Sequence, residues 1–135
     1  MSDLFSEAWV SALGEAWNND LQIVEPLSKA NFSAKISYGF IGEATPRCLI
    51  NIVGGHIISA SLYQNEEIDW DLRADIGNWE KWLTQGFGLT KLGPAVATRA
   101  LQFAKGDYRQ MIRNPLLSRP FLRHFVLMTQ LETSF

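Results

Sequence analysis

The segment from residue 68 to residue 75 alternates apolar and charged side chains without a break. Its apolar positions are Ile68, Trp70, Leu72 and Ala74, and its charged positions are Asp69, Asp71, Arg73 and Asp75. Successive side chains of a strand point to opposite faces of a sheet, so this pattern predicts a half-buried strand with one charged face. Directly after it, Trp79, Trp82 and Leu83 follow helical spacing. The change of period indicates that a sheet and a helix are joined near residue 75.

Three further strands are predicted upstream. Residues 32–38 alternate in the same way, whereas residues 47–53 form a more uniformly apolar run. Residues 56–63 follow Gly54 and Gly55, and glycine tolerates the positive φ angles of a two-residue hairpin turn. Together these segments predict an antiparallel meander.

Helical patterns flank the strands. Residues 3–18 carry an apolar stripe at helical spacing, and Ser2 or Asp3 can cap that helix. The other predicted elements are, in chain order, an irregular connector at 19–30 around Pro26, a helix at 78–86, a short helix at 89–98, a strand at 100–105, a helical turn at 108–113 and a last helix capped by Ser118. Grouped strands with helices at the ends favour an α+β fold, in which helices cover one face of a sheet. The late strand must join an edge of that sheet or insert into it.

Composition narrows the class of protein. The 135 residues contain no linker, so we expect a single domain over residues 1–135. A hydrophobic content of 47% with 19% charged residues excludes intrinsic disorder. One cysteine excludes an internal disulfide, and two histidines with a net charge of −2 speak against a metal site and against nucleic-acid binding. The longest apolar run is residues 125–128 and no signal peptide is visible, so we expect a cytoplasmic protein.

No catalytic constellation is visible. Cys48 falls inside an apolar strand, where a buried thiol is inert, and no Ser or Cys has an obvious base beside it. Among Asp69, Asp71 and Asp75, the first two would share a strand face and could chelate a hard cation, but the same spacing is typical of a solvated strand face. We therefore expect no catalytic residue, metal or cofactor. An enzyme acting through His56 or Asp75 is the least favoured hypothesis.

Charge is distributed unevenly along the chain. Residues 1–80 hold twelve acids and four bases, whereas residues 81–135 hold two acids and eight bases. The bases Arg109 and Arg113, and likewise Arg119 and Arg123, are four residues apart and would share a helix face. Such a face beside apolar residues fits a membrane or partner surface, and it equally fits a packed helix whose arginines lie in water.

The chain contains five Trp and eight Phe residues, which is more large aromatic side chains than one core layer requires. These side chains could fill a solid core, or they could line a cavity for an apolar ligand. Composition leaves both interpretations open.

The layout resembles the sterol carrier protein type two family. The resemblance rests on the alternating strand through Asp75, the Trp-rich helix from Asn78 to Gly86, the strand that ends in Gly106 and Asp107, and the apolar C-terminal helix; it spans about residues 5–130. It implies a five-stranded, mainly antiparallel sheet with helices over one face, enclosing an apolar tunnel. It also implies binding or transfer of a fatty acid, acyl-CoA, sterol or other isoprenoid-like lipid, without catalytic residues.

One departure from that pattern concerns register. The family's late strand carries apolar residues two and four before its glycine, whereas Leu101 and Phe103 stand five and three before Gly106. A β-bulge would restore the register.

Under the resemblance, the leading hypothesis is non-catalytic binding of a hydrophobic ligand. The residues expected to line the cavity are Trp70, Leu72, Leu101, Phe103, Phe121, Phe125 and Met128. The alternative is an accessory protein-interaction or membrane-docking module of a lipid pathway, with a filled core and a basic surface made by Arg109, Arg113, Arg119 and Arg123. The expected partners are a hydrophobic small molecule or lipid and a membrane surface or a pathway enzyme.

Overall fold

A computed structural model describes residues 1–135, the side chain of Leu89 excepted. Its strands are β1 (Ser2–Asp3), β2 (Ala34–Phe40), β3 (Cys48–Val53), β4 (His56–Leu62), β5 (Trp70–Ala74), β6 (Gln102–Lys105) and β7 (Thr133–Ser134). Its helices are α1 (Glu7–Asn18), α2 (Leu21–Lys29), α3 (Ile76–Gln85), α4 (Leu89–Ala97), α5 (Tyr108–Arg113) and α6 (Pro115–Gln130). None of the helices in the described residues has the length and hydropathy that a bilayer span requires.

The main sheet has five strands in the order β4-β3-β2-β5-β6. Only β2 and β5 run parallel, and the other three neighbouring pairs are antiparallel. The predicted α+β class and mainly antiparallel sheet are therefore confirmed, and the late strand joins the edge beside β5. A β-bulge interrupts the pairing of β5 with β6: Asp71 pairs with Lys105 and Leu72 with Phe103, which leaves Ala104 as the extra residue of β6.

The helices cover one face of this sheet. Apolar side chains of the central strands are buried against them, among them Tyr38 of β2, Ile50 of β3 and Leu72 of β5. Trp9 of α1 and Trp79 of α3 are fully buried in the same core. The alternation of residues 32–38 and 68–75 thus turns one set of side chains toward the helices, as predicted.

The irregular connector predicted at residues 19–30 is wrong, because the chain forms α2 there. The Asp20 carboxylate accepts a hydrogen bond from the backbone N–H of Gln22 at 2.9 Å and caps the helix. Ile23 and Leu27 then lie on its buried side. Pro26 removes only the donor to the carbonyl of Gln22, an exposed residue near the helix start, so the helix tolerates it.

Both chain ends also differ from the predictions. The first helix begins at Glu7 and is capped by Ser6, whose hydroxyl accepts from the backbone N–H of Trp9 at 3.2 Å, not by Ser2 or Asp3. Residues 2–3 instead pair in parallel with residues 133–134, a contact that no local pattern reveals.

The last helix begins earlier than its predicted cap at Ser118. The side chain of Asn114 accepts from the backbone N–H of Leu116 at 3.1 Å, and Pro115 occupies the first helical position. Proline suits that position because its missing N–H would have no helical partner there.

The charged face predicted for β5 is not solvated. Arg73 donates to both carboxylate oxygens of Asp71, at 2.8 and 3.0 Å, and to the carbonyl oxygens of Phe40 and Glu43. Both charged side chains are buried, because the loop after β2 folds over them and the neighbouring Gly39 leaves space for the arginine stem. The two charges therefore neutralise each other beneath the loop.

Candidate ligand cavity

A small cavity lies between the sheet and the helices, with a volume of about 20 Å³. Its wall is almost wholly apolar and is formed by Trp17 of α1, Leu27 of α2, Ile36 of β2, Trp70 of β5, Met111 of α5 and Phe121 of α6, together with Phe32 and Leu117. Its volume suffices for about one water molecule, far below the roughly 300 Å³ at which ligand pockets begin.

The cavity wall offers very little polar surface to a ligand's headgroup. The indole N–H of Trp17 is already committed to the carbonyl oxygen of Gly55 at 2.9 Å. The indole N–H of Trp70 is the other donor among the wall residues, and the remaining side chains are hydrocarbon, phenyl or thioether groups. A ligand held here would therefore bury its apolar part in the wall and keep any polar group outside.

The aromatic residues that the sequence singled out meet beside this cavity. The ring of Trp70 lies 6.0 Å from that of Phe103 and 6.4 Å from that of Phe121, between ring centroids. Phe121 in turn meets Phe125 edge-on at 5.0 Å. This aromatic cluster joins β5, β6 and α6, which lie far apart in the chain.

The seven expected wall residues occupy three kinds of position. Trp70 and Phe121 line the cavity. Leu72, Phe125 and Met128 are buried in the core behind it. Leu101 and Phe103 border a separate open groove of about 560 Å³ beside β6.

Several residues of the wall were not singled out from the sequence as ligand-binding. Leu27 lies in the segment predicted to be irregular, although its spacing of four from Ile23 is a helical signal. Met111 lies on α5, and Leu117 lies on the first turn of α6. The sequence of these two segments does not show which of their side chains points into the core. Only tertiary packing identifies them.

A buried polar pair lies close to the cavity. Nε2 of His124 lies 3.0 Å from the hydroxyl oxygen of Tyr38, and both residues are fully buried. Burial lowers the pKa of His124 to about 4 and raises the pKa of Tyr38 well above its ordinary value. The imidazole is therefore neutral at pH 7, and the pair is a buried structural link between β2 and α6.

The other residues considered for catalysis are dispersed. Cys48 is buried in β3, and burial raises the pKa of its thiol. His56 is exposed on β4, and Asp75 precedes α3. Among the described residues, no group of three His, Cys, Asp or Glu side chains could hold a metal ion.

The four arginines of the predicted surface differ in their surroundings. Arg109, Arg113 and Arg119 are exposed. Arg123 is only 29% exposed, and its guanidinium donates to the Asp20 carboxylate at 2.8 Å. The structure therefore presents three of these cations to solvent and uses the fourth to fasten α6 to α2.

Comparison with known proteins identifies the fold of this chain through solved structures. No protein-family model and no curated protein sequence matches this chain. The crystal structure of sterol carrier protein 2 matches with a TM-score of 0.76 at 15% identity, over 96% of this chain and 100% of that chain. The solution structure of a conserved hypothetical protein from Thermus thermophilus, described as possibly a sterol carrier protein, matches with a TM-score of 0.70 at 16% identity, over 95% of this chain and 88% of that one.

A third solved structure, the UbiJ-SCP2 ubiquinone synthesis protein, matches with a TM-score of 0.57 at 11% identity, over 90% of this chain and 88% of that chain. This chain has the fold of sterol carrier protein 2.

Proposed function

We propose that this protein is a non-catalytic carrier of a hydrophobic ligand, held in an enlarged form of the apolar cavity. The observation that supports this most is the position of the cavity between the sheet and α2, α5 and α6, with an almost wholly apolar wall. The ligand class is a fatty acid, acyl-CoA, sterol or other isoprenoid-like lipid. The names of the similar structures, sterol carrier protein 2 and a ubiquinone synthesis protein, point to the same class of molecule.

Apolar burial alone can provide the affinity. Each methylene group removed from water contributes about 0.8 kcal/mol, so a long hydrocarbon chain needs no specific polar contact. The cavity wall, which is almost wholly apolar, suits such a ligand. The affinity would be broad across lipids of similar length and shape.

Binding requires the cavity to expand. Met111 and Leu117 close it from the side of α5 and the first turn of α6, two short stretches joined at Asn114. We expect these two side chains to be displaced more easily than Ile36, which belongs to the central sheet, or Trp17, whose indole N–H is hydrogen-bonded to Gly55. We therefore expect the ligand to enter beneath α5.

A matched pair of variants tests this proposal. Leu117→Phe adds bulk inside the cavity, whereas Leu116→Phe makes the same change on a neighbouring residue that is 43% exposed. In titrations with a fluorescent long-chain fatty acid and a fluorescent sterol, Leu117→Phe is expected to weaken binding at least about tenfold. Leu116→Phe should bind like the parent protein. Equal affinities in all three proteins would mean that the ligand does not bind in this cavity, which would contradict the proposal.

The alternative function is an accessory interaction module with a filled core. The observation that favours it is the volume of about 20 Å³, since a core with so little free space resembles ordinary packing. The lipid titration of the parent protein distinguishes the two functions. An absence of binding by the parent protein to fatty acids, acyl-CoAs and sterols would favour the interaction module.

A further inference from the structure

The corner where α5 meets α6 carries several arginines that form no ion pair among the described residues. We call the exposed residues Arg109, Arg113, Leu116 and Arg119 the basic corner. None of its arginines belongs to an ion pair within the described part of the chain. Asp107 caps α5 and accepts a hydrogen bond from the backbone N–H of Arg109, and no further Asp or Glu occurs before Glu132. In a protein whose net charge is −2, this concentration of cations favours an anionic partner.

The same corner exposes an apolar side chain. Leu116 lies between Arg113 and Arg119 in the sequence, follows Pro115, and has 43% of its surface exposed. Basic residues around an exposed leucine are typical of surfaces that lie on a lipid bilayer. The leucine enters the boundary of the acyl chains while the arginines remain at the phosphates.

A recess of about 390 Å³ adjoins the corner, between α2 and α6. It is lined by Gln22 and Pro26 of α2 and by Pro115, Leu116, Arg119 and Arg123 of α6. Arg123 is held by Asp20, so Arg119 is the guanidinium that can turn toward a bound anion. A guanidinium matches the geometry of a phosphate group, and the prolines and the leucine supply an apolar floor.

We propose that the basic corner docks this protein on anionic membranes, with the recess between α2 and α6 receiving a phospholipid headgroup. A bilayer fits these features better than an acidic protein does, because the recess combines a phosphate-binding cation with apolar walls. The inner sides of α5 and α6, at Met111 and Leu117, close the cavity. Docking would therefore bring α5 and the first turn of α6, which close the cavity, next to the membrane. The use of this position for ligand entry rests on the proposed function.

The test is co-sedimentation of the full chain with vesicles. Vesicles of phosphatidylcholine with about 30% phosphatidylglycerol should bind the protein, pure phosphatidylcholine vesicles should bind it weakly, and about 0.5 M salt should release it. Arg113→Glu with Arg119→Glu is expected to weaken binding to the anionic vesicles at least about tenfold. The matched control, Lys81→Glu with Lys91→Glu, changes the net charge equally at exposed lysines of α3 and α4 and should bind like the parent.

A second variant separates apolar insertion from charge. Leu116→Gln keeps every charge, and we expect it to weaken vesicle binding several-fold even at low salt. The proposal would be overturned if the parent protein failed to bind anionic vesicles, or if the two double variants lost vesicle binding equally. The basic corner would then be assigned to an acidic protein partner.

Ligand binding measured without vesicles distinguishes this proposal from the carrier function. Arg113→Glu with Arg119→Glu should still bind the fluorescent fatty acid, because neither arginine lines the cavity. Vesicle binding without ligand binding would contradict the carrier function while supporting the docking surface.

Discussion

The hydroxyl group of Tyr38 lies 3.0 Å from Nε2 of His124, and no solvent reaches either side chain. Nδ1 of the same ring pairs with the backbone carbonyl oxygen of Phe121. Since the histidine is neutral, Nδ1 carries the proton and donates to that carbonyl, and Nε2 accepts from the tyrosine hydroxyl. This arrangement fixes α6 against the central strand β2 and satisfies both polar groups inside an aromatic core.

Stability should fall as the pH is lowered from about 6.5 to about 4. The His124 imidazole takes up a proton near pH 6.5 in the unfolded chain but only near pH 4 in the folded protein, because burial lowers its pKa. The unfolded state therefore binds more protons throughout this window. The free energy of unfolding lost by pH 4 is roughly 3 kcal/mol, which urea titrations at pH 7 and pH 4 would measure.

A comparison of two variants isolates this contribution from the acids that titrate in the same range. His124→Met should flatten the pH dependence, whereas His56→Gln, at the exposed histidine, should retain it. If the His124 signals in an NMR titration of the parent protein moved near pH 6.5, the assignment of a lowered pKa to His124 would be wrong.

The ion pair between Arg73 and Asp71 should be costly to break. Arg73→Met leaves the Asp71 carboxylate buried without its partner, and the loop after β2 loses two hydrogen bonds to its carbonyl oxygens. Loss of one member of a buried pair typically costs about 3–5 kcal/mol. The exposed pair between Arg47 and Glu43 provides the control, since Arg47→Met should cost under about 1 kcal/mol. Similar losses from both substitutions, measured by urea unfolding, would mean that the inner pair is solvated.

Gly55 should not tolerate a side chain. Its φ is 87°, and an added Cβ would lie 2.6 Å from the backbone nitrogen of Ser28 in α2. Gly42 also has a positive φ, 94°, but an added Cβ there meets open space. Gly42→Ala should therefore cost only the backbone strain of about 1–2 kcal/mol, and Gly55→Ala distinctly more. An equal shift of the two unfolding midpoints would show that α2 can move away from the hairpin.

The part of the fold that follows from local pattern was predictable. The alternation at residues 32–38 and 68–75 fixes which face of each strand is buried, and Gly54 with Gly55 marks the hairpin. The helix α2 was not predicted, because a proline inside a segment usually breaks a helix, whereas here the cap at Asp20 and the packing of Leu27 outweigh Pro26. The pairing of the chain ends has no local signal, because it depends on where the two ends meet.

The site was predictable only in outline. Aromatic content and the resemblance pointed to an apolar interior near Trp70 and Phe121, and both residues do line the cavity. The burial of Asp71 beside Arg73 could not be read from alternation, because the sequence does not show that the loop after β2 covers that face. The inward direction of Met111 depends in the same way on how α5 lies against the sheet.

Native mass spectrometry of freshly purified protein shows whether this protein carries a hydrophobic molecule. We expect a population heavier than the polypeptide by the mass of one lipid, which organic extraction would release and identify. The Leu117→Phe variant should lose most of that population, while Leu116→Phe should keep it. A bare polypeptide mass from the parent protein, unchanged after incubation with fatty acids, acyl-CoAs and sterols, would contradict the account.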